Sequence, residues 1–415
     1  MLSNLAKLAV KRNPIGYKPQ VWPGKFDNIV IAMSSGVDSS VSAALFAGYP
    51  NAKGIYMQNW TKEQSLTDPS DEPCYERDWK DVVRVAEHLN LPVERVNFEK
   101  DYWIDVFEPM LLQYDQGLTP NPDIGCNRFV KFGKLREVLD QKYGSNNYWL
   151  VTGHYARVLA DVRAGSHQHL LRSFYTKKDQ SYYLSQINFD ILGQLLLPMG
   201  HLTKPEVRRV ADSMQLPTAN KPDSQGICFV NNSQHGKFNK FLQHYLPDST
   251  GNIVTVDESS GIKRVWGSHQ GLWSYTIGQK IGLSMPQGDP RYSGAWYVAE
   301  KLRDTNELVI VRGKDHDSLL KNQVTIQNFK ILGCSPEEFY DLLNSTSVRG
   351  HITMQYRSLQ DPITVHSYEF THKDKGELAL KLKLESKQRA MAPGQYCCLY
   401  MGARVLGSGP ITETL

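Results

Sequence analysis

Three stretches of this chain carry residue types that do chemistry. The first is Ser34-Ser35-Gly36-Val37-Asp38-Ser39-Ser40, directly behind the apolar run 29–33 and ahead of the apolar run 41–47. This is strand, tight polar loop, helix. Such a loop offers hydroxyls and backbone N–H groups at a helix N-terminus, where the macrodipole is positive, and so attracts phosphate. Gly36 lets a ligand approach the backbone with no Cβ in the way. Asp38 would repel phosphate unless a metal ion lay between them. The pattern therefore points to a nucleoside triphosphate with Mg2+. It is not the Lys-containing phosphate loop of the Walker type, because no Lys follows Gly36. The bland alternative is an ordinary helix N-cap built from Ser and Asp.

The other two stretches hold cysteines. Cys126 closes the loop Thr119-Pro120-Asn121-Pro122-Asp123-Ile124-Gly125, with Arg128 and Lys131 following and a helix expected over 129–143. Nearby cations and a helix N-terminus lower a thiol pKa, and the thiolate is the better nucleophile or leaving group. Most lone cysteines are instead small hydrophobes under a loop, but the polar surroundings here favour a reactive site. Cys228 closes Lys221-Pro222-Asp223-Ser224-Gln225-Gly226-Ile227. Alone it is as easily a strand-buried thiol beside Ile227 and Phe229. Two cysteines that each close a Pro-Asp loop are harder to explain as packing.

Between residues 26 and 226 the hydrophobic pattern alternates strand and helix. Strands are expected at 29–33, 54–58, 93–98 and 148–152, with helices to about 47 and at 77–89, 102–114 and 129–143. This alternation predicts an α/β domain with a doubly wound parallel sheet, whose ligands sit at the carboxyl ends of the strands. The phosphate-type loop, Met57 and Thr152-Gly153-His154 all lie at such ends. Residues 235–295 are rich in Gly, Ser, His and Gln and read as a small linking domain. From 296 to 415, short alternating strands with turns at Asp304-Thr305-Asn306 and Ala392-Pro393-Gly394 predict a compact β-barrel.

The 415 residues allow two or three domains, and 40% apolar with 22% charged residues is ordinary for a globular protein. The net charge of +4 permits a polyanionic partner without demanding one. No apolar run approaches the roughly 20 residues that cross a membrane, so no membrane partner is expected. Six scattered cysteines without a CxxC pair make neither a disulfide framework nor a zinc site. Residues 1–26 differ from the rest. They hold Lys7, Lys11, Arg12, Lys18 and Lys25 with no acidic residue, and Leu2, Leu5, Leu8 and Ala9 give an amphipathic helical spacing. This is the composition of a mitochondrial transit segment, so the catalytic domain is expected over 27–234 and the location is the mitochondrial matrix.

The loop resembles the SGGxDS pyrophosphate-binding loop of the N-type ATP pyrophosphatases (the PP-loop enzymes), with Ser35 where that family has Gly. NPDIGCN (121–127), TGHYA (152–156), KDQSYYL (178–184), KPDSQGICF (221–229) and GLWSYTIGQK (271–280) together resemble the motif set of the tRNA-specific 2-thiouridylases. The likeness covers the chain after residue 26 and, with the basic leader, is closest to mitochondrial members of fungal type. It implies ATP-dependent 2-thiolation of the wobble uridine in tRNAs for Lys, Glu and Gln, with sulfur from a cysteine desulfurase pathway. It implies Cys228 as persulfide carrier, Cys126 as the thiol that releases the sulfur through a disulfide, and Asp123 as general acid and base. ATP contacts carry over to Ala32, Met33, Ser34, Ser35, Gly36, Val37, Asp38, Ser39, Met57 and Gly153. Contacts to tRNA carry over to Asn121, Pro122, Asp123, His154, Lys178, Asp179, Gln180, Tyr356, Arg357 and Gln395. Gln355 stands where the family has Arg. Other readings stay open. One is another PP-loop adenylating enzyme acting on a different carbonyl, such as a GMP, argininosuccinate or tRNA lysidine synthetase. Another is a tRNA-binding factor with a decayed loop. A third is a metal site built from Cys74, Cys126 and Cys228.

Overall fold

The computed structural model describes residues 2–60, 73–162, 167–223, 237–257, 259–286, 288–345, 351–372 and 378–415. Cys228 and the rest of its loop after Asp223 lie outside them. Five parallel strands form the catalytic sheet, in the spatial order Val93–Asn97, Ala52–Gln58, Asn28–Met33, Tyr148–Val151, Leu195–Leu196. The central strand is apolar from Ile29 to Met33, as burial on both faces requires. The pleat sends Val30 into one core with Ile55, Leu150 and Cys126. It sends Ile29 and Ile31 into the other with Val41, Phe46 and Val85.

The expected α/β pattern holds as far as residue 152 and then changes. Ala156–Asp161 and Gln168–Arg172 form an antiparallel hairpin outside the parallel sheet. That hairpin takes Tyr17–Pro19 on one side and touches the barrel strand Arg404–Thr414 on the other. Local periodicity could not show this, because Ala156–Asp161 is buried on both faces and its mixed sequence carries no strand alternation.

The predicted boundary at 295/296 is also displaced. Trp296–Leu302 and Glu307–Arg312 belong to the middle domain, in one sheet with Gly251–Val256, Lys263–His269 and Lys280–Ile281. The C-terminal barrel starts at Leu320–Ile326 and runs through Ile352–Gln355, Ile363–His372, Leu378–Arg389, Tyr396–Met401 and Arg404–Thr414. The ring closes because Arg404–Thr414 pairs with both Leu320–Ile326 and Tyr396–Met401, which leaves no open edge.

The basic segment expected as a separable leader is packed into the fold. Its helix, Leu2–Arg12, buries Leu5 and Ala9 in the catalytic core. No helix among the described residues is long and apolar enough to cross a membrane.

Candidate active site

The phosphate-type loop is folded around one hydroxyl. Ser39 Oγ accepts from Ser34 N at 3.0 Å and lies 2.7 Å from the Ser34 carbonyl and 3.0 Å from the Gly36 carbonyl. The helix Val37–Phe46 starts at Gly36 with no side chain capping it, so its first N–H groups face the loop mouth, the arrangement that receives an anion. Met33, Ser35, Val37 and Ser39 are buried, Ser34 is exposed, and Ala32, Gly36, Asp38 and Met57 are half-buried. The Gly-to-Ser departure at Ser35 has a simple explanation. Neither Ser35 nor Gly36 has a positive φ, so the loop needs no left-handed residue there.

Gly153 is where a side chain is impossible. A Cβ on it would sit 2.8 Å from Ser39 N and 3.0 Å from the Asp38 carbonyl carbon. The strand end 152–154 is thus pressed against the loop backbone, at the carboxyl edge where such sheets bind ligands.

Asp38 does not stand alone. Its carboxylate accepts from Lys204 Nζ at 2.7 and 2.8 Å and from Tyr155 Oη at 2.8 Å. Burial and the adjoining Asp38 push the Tyr155 phenol pKa well up. Lys204 also pairs with Asp223 at 2.8 Å, and Asp223 pairs with Lys178 and Arg208, each at 2.7 Å. Burial works to raise the Asp223 pKa, yet the hydrogen bonds from Lys178 and Lys204 prevail and hold the carboxyl well below the usual range. One ammonium therefore ties the ATP-type loop to the start of the Cys228 loop. Lys204 and Tyr155 were not singled out from sequence. Thr203 and Glu206 form a capping box, so the pattern Thr203-Lys204-Pro205-Glu206 marks Lys204 as the first residue of a helix. Nothing local shows what that helix end faces.

Cys126 lies one turn inside a continuous helical run, Pro122–Gly125, Cys126–Lys134 and Leu135–Tyr143, that begins seven residues before the expected helix at 129. Asn121 is its N-cap, its side chain accepting from Asp123 N at 3.2 Å and Ile124 N at 3.3 Å. Pro122 fills the first helical position and is buried. The stretch Cys126–Lys134 is π-helical, a widened geometry that recurs at functional sites. Gly133 permits it, since a Cβ there would lie 3.0 Å from the Arg128 carbonyl oxygen. Cys126 is buried. Burial raises the Asp123 carboxyl pKa against the opposing pull of Lys131. Lys131 also acts on His154, whose imidazole burial pushes down to about 3, and Phe132 packs on that ring at 5.8 Å. The Cys126 helix is thereby seated against the same strand end that presses on the loop.

The segment leading to Cys126 is held by both other domains. Lys301 of the middle domain donates to the Gly117 carbonyl at 2.9 Å, and burial pushes its ammonium down to about 8. Thr119 N donates to the Pro393 carbonyl of the barrel at 2.9 Å.

Several residues expected to touch tRNA have other partners. Asp179 is buried, accepting from Ser173 N, Ser181 N and Ser181 Oγ and facing Arg172 at 3.5 Å. Gln180 is clipped to the Tyr155 backbone, and Gln395 accepts from Ala392 N. Tyr356 is buried in the barrel core with its hydroxyl donating to the Arg389 carbonyl. The 178–184 motif docks the barrel. Arg172 donates to Gln355 at 2.9 Å, and Tyr182 Oη donates to the Tyr356 and Tyr396 carbonyls. Gln355 thus accepts from a guanidinium that an Arg in its place would repel. Arg357 stays exposed, with one N–H on the Ala390 carbonyl, and Lys178 stays partly exposed beside Asp223.

A parallel sheet with a phosphate-type loop at its carboxyl edge, followed by two β domains, defines a nucleotide-binding α/β protein with appended β modules. Its parts match, in order, the tRNA methyl transferase HUP domain over residues 27–232, the tRNA methyl transferase PRC-barrel domain over 239–312 and the aminomethyltransferase beta-barrel domain over 323–411. The mitochondrial tRNA-specific 2-thiouridylase 1 of Saccharomyces cerevisiae is 62% identical over 414 residues, covering 100% of this chain and 98% of that protein. The protein of the same name from Schizosaccharomyces pombe is 36% identical, covering 94% and 91%. The chain belongs to the tRNA-specific 2-thiouridylase family.

Proposed function

We propose that this enzyme replaces the C2 oxygen of the wobble uridine by sulfur in mitochondrial tRNAs for Lys, Glu and Gln, in the matrix. The observation that carries the reading is Lys204, which grips Asp38 of the phosphate-type loop and Asp223 of the Cys228 loop at once. That link ties the phosphate-type loop to a residue five positions before Cys228 in the sequence, which supports nucleotide and thiol chemistry acting together.

The C2 oxygen is a poor leaving group. The loop backbone and the uncapped helix N-terminus would bind the ATP phosphates while that oxygen displaces pyrophosphate and becomes adenylated. The uridine must leave the anticodon stack to be reached. The terminal sulfur of a Cys228 persulfide, loaded from a cysteine desulfurase pathway, then attacks C2 and AMP departs. The Cys126 thiolate attacks the Cys228 sulfur, a disulfide forms, and the sulfur stays on the base. Asp123, its carboxyl pKa raised by burial, would take up and return the proton as general acid and base. Asp38 is the carboxylate at the loop that would hold Mg2+ together with the triphosphate oxygens, since Asp223 is already matched by Lys178, Lys204 and Arg208; the ion would screen the triphosphate charge.

The test is mass spectrometry of tRNA nucleosides after incubation with enzyme, ATP and a sulfide source. Wild type should yield 2-thiouridine at the wobble position. Cys126→Ser and Cys228→Ser should yield none while still binding tRNA. Thiolation by the Cys228→Ser enzyme would refute the persulfide role.

A further inference from the structure

We propose that the N-terminal segment braces the ATP loop in the folded enzyme, with Arg12 as the positioning residue. This rests on the reading of the loop as an ATP site. The helix Leu2–Arg12 ends in an unusual concentration of contacts. Arg12 makes a fork on Glu206, at 2.9 and 2.8 Å, and its Nη1 also donates to the His201 carbonyl at 2.6 Å. Its guanidinium lies 4.3 Å from the Phe174 ring centroid. Its own carbonyl accepts from Arg157 Nη1 at 2.7 Å.

Glu206 is the pivot. The carboxylate that receives Arg12 also accepts from Thr203 N at 2.8 Å and Thr203 Oγ1 at 2.9 Å, closing the capping box. The next residue, Lys204, is the one that grips Asp38. The path from Arg12 to the loop is therefore Arg12, Glu206, Thr203, Lys204, Asp38, each link a hydrogen bond, an ion pair or one peptide bond. A bidentate guanidinium–carboxylate pair fixes orientation as well as distance, so it sets the angle at which the helix end presents Lys204. The burial of Leu5 and Ala9 and the pairing of Tyr17–Pro19 with Ala156–Asp161 hold the arm in register. A segment whose composition matches a targeting signal thus has a task inside the folded protein.

The test uses the full chain with Arg12→Ala, Arg12→Lys, Glu206→Gln and the Arg12→Ala/Glu206→Gln double variant. The readout is pyrophosphate release with a tRNA transcript, titrated in ATP. Gln at 206 keeps the capping geometry while removing the charge. Loss of the brace should raise KM for ATP about tenfold in Arg12→Ala, less in Arg12→Lys, and leave kcat of the folded enzyme within about twofold. The double variant should be no worse than the worse single one, because both break the same link. A merely structural role gives a different pattern. Fewer folded molecules lower the apparent kcat and leave KM alone. That pattern, or additive effects in the double variant, overturns the proposal. Should Arg12→Ala fail to fold, Arg12→Lys and Glu206→Gln decide by the same KM criterion. A wild-type enzyme that releases no pyrophosphate would instead strike down the ATP reading itself.

Discussion

Acid should weaken this fold through its buried histidines before its carboxylates matter, and His201 is the place to measure it. His201 is 7% exposed, in the turn Pro198–His201 that leads to the Lys204 helix. Burial pushes its imidazole down to about 3, helped by Arg157 and Arg12. In the unfolded chain the same ring titrates near 6.5. The folded value is the lower one, so the native state refuses a proton that the unfolded state accepts. The stability associated with the neutral ring is therefore whole above about pH 6.5 and falls as pH drops towards about 3. Between pH 7 and pH 5 this one group removes about 2 kcal/mol, taking about 1.4 kcal/mol per pH unit below its unfolded pKa. Against a typical total of about 5–15 kcal/mol that is a measurable loss. Glu206 is held down to about 2 by Arg12, so its own acid-linked loss falls below the pH 5 end of this window. The assay is urea unfolding of wild type and His201→Gln at pH 7 and at pH 5, followed by tryptophan fluorescence. The pH-dependent part should be smaller by about 2 kcal/mol in the variant. Comparing variant with wild type cancels the contribution of other groups, among them Asp123 and Asp179, whose raised pKa values act in the opposite sense. Equal pH dependence in the two proteins would refute the reasoning.

Two further perturbations separate the loop from the tRNA surface. Gly153→Ala places a methyl 2.8 Å from Ser39 N, and since the obstacle is backbone the loop must move. ATP-dependent pyrophosphate release should fall by on the order of tenfold to a hundredfold with tRNA affinity unchanged; a fully active variant would mean that the strand end and the loop are not in contact. Arg357→Ala should weaken tRNA binding and reduce the slope of log affinity against log salt by about one. Tyr356→Phe should instead cost about 1 kcal/mol of stability through its lost bond to the Arg389 carbonyl and leave that slope alone. A changed slope in Tyr356→Phe would contradict its place in the barrel core.

The amino-acid sequence by itself determined everything that depends on near neighbours. The apolar run 29–33 and the small polar residues after it dictate strand, loop and helix, because the pleat and the helix start are local properties. The order of motifs likewise made the family readable. Where the sequence could not decide, the deciding contacts lie between distant segments. The apolar face of Leu2–Arg12 looks the same whether it meets an import receptor or the catalytic core, and only packing of Leu5 and Ala9 decided which surface it covers in the folded chain. Asp179 and Tyr356 are polar and sit in a motif or next to an Arg, which from sequence suggests an RNA contact. Tyr356 is buried in the barrel core and Asp179 among Ser173, Ser181 and Arg172, surroundings that no single segment encodes. Lys204 is the sharpest case. Its position at a capped helix start is local, while its grip on Asp38, 166 residues away in the chain, exists only because the sheet brings two helix ends to the same edge. Ion pairs across such distances depend on the placement of backbones, and that placement is fixed by the whole core.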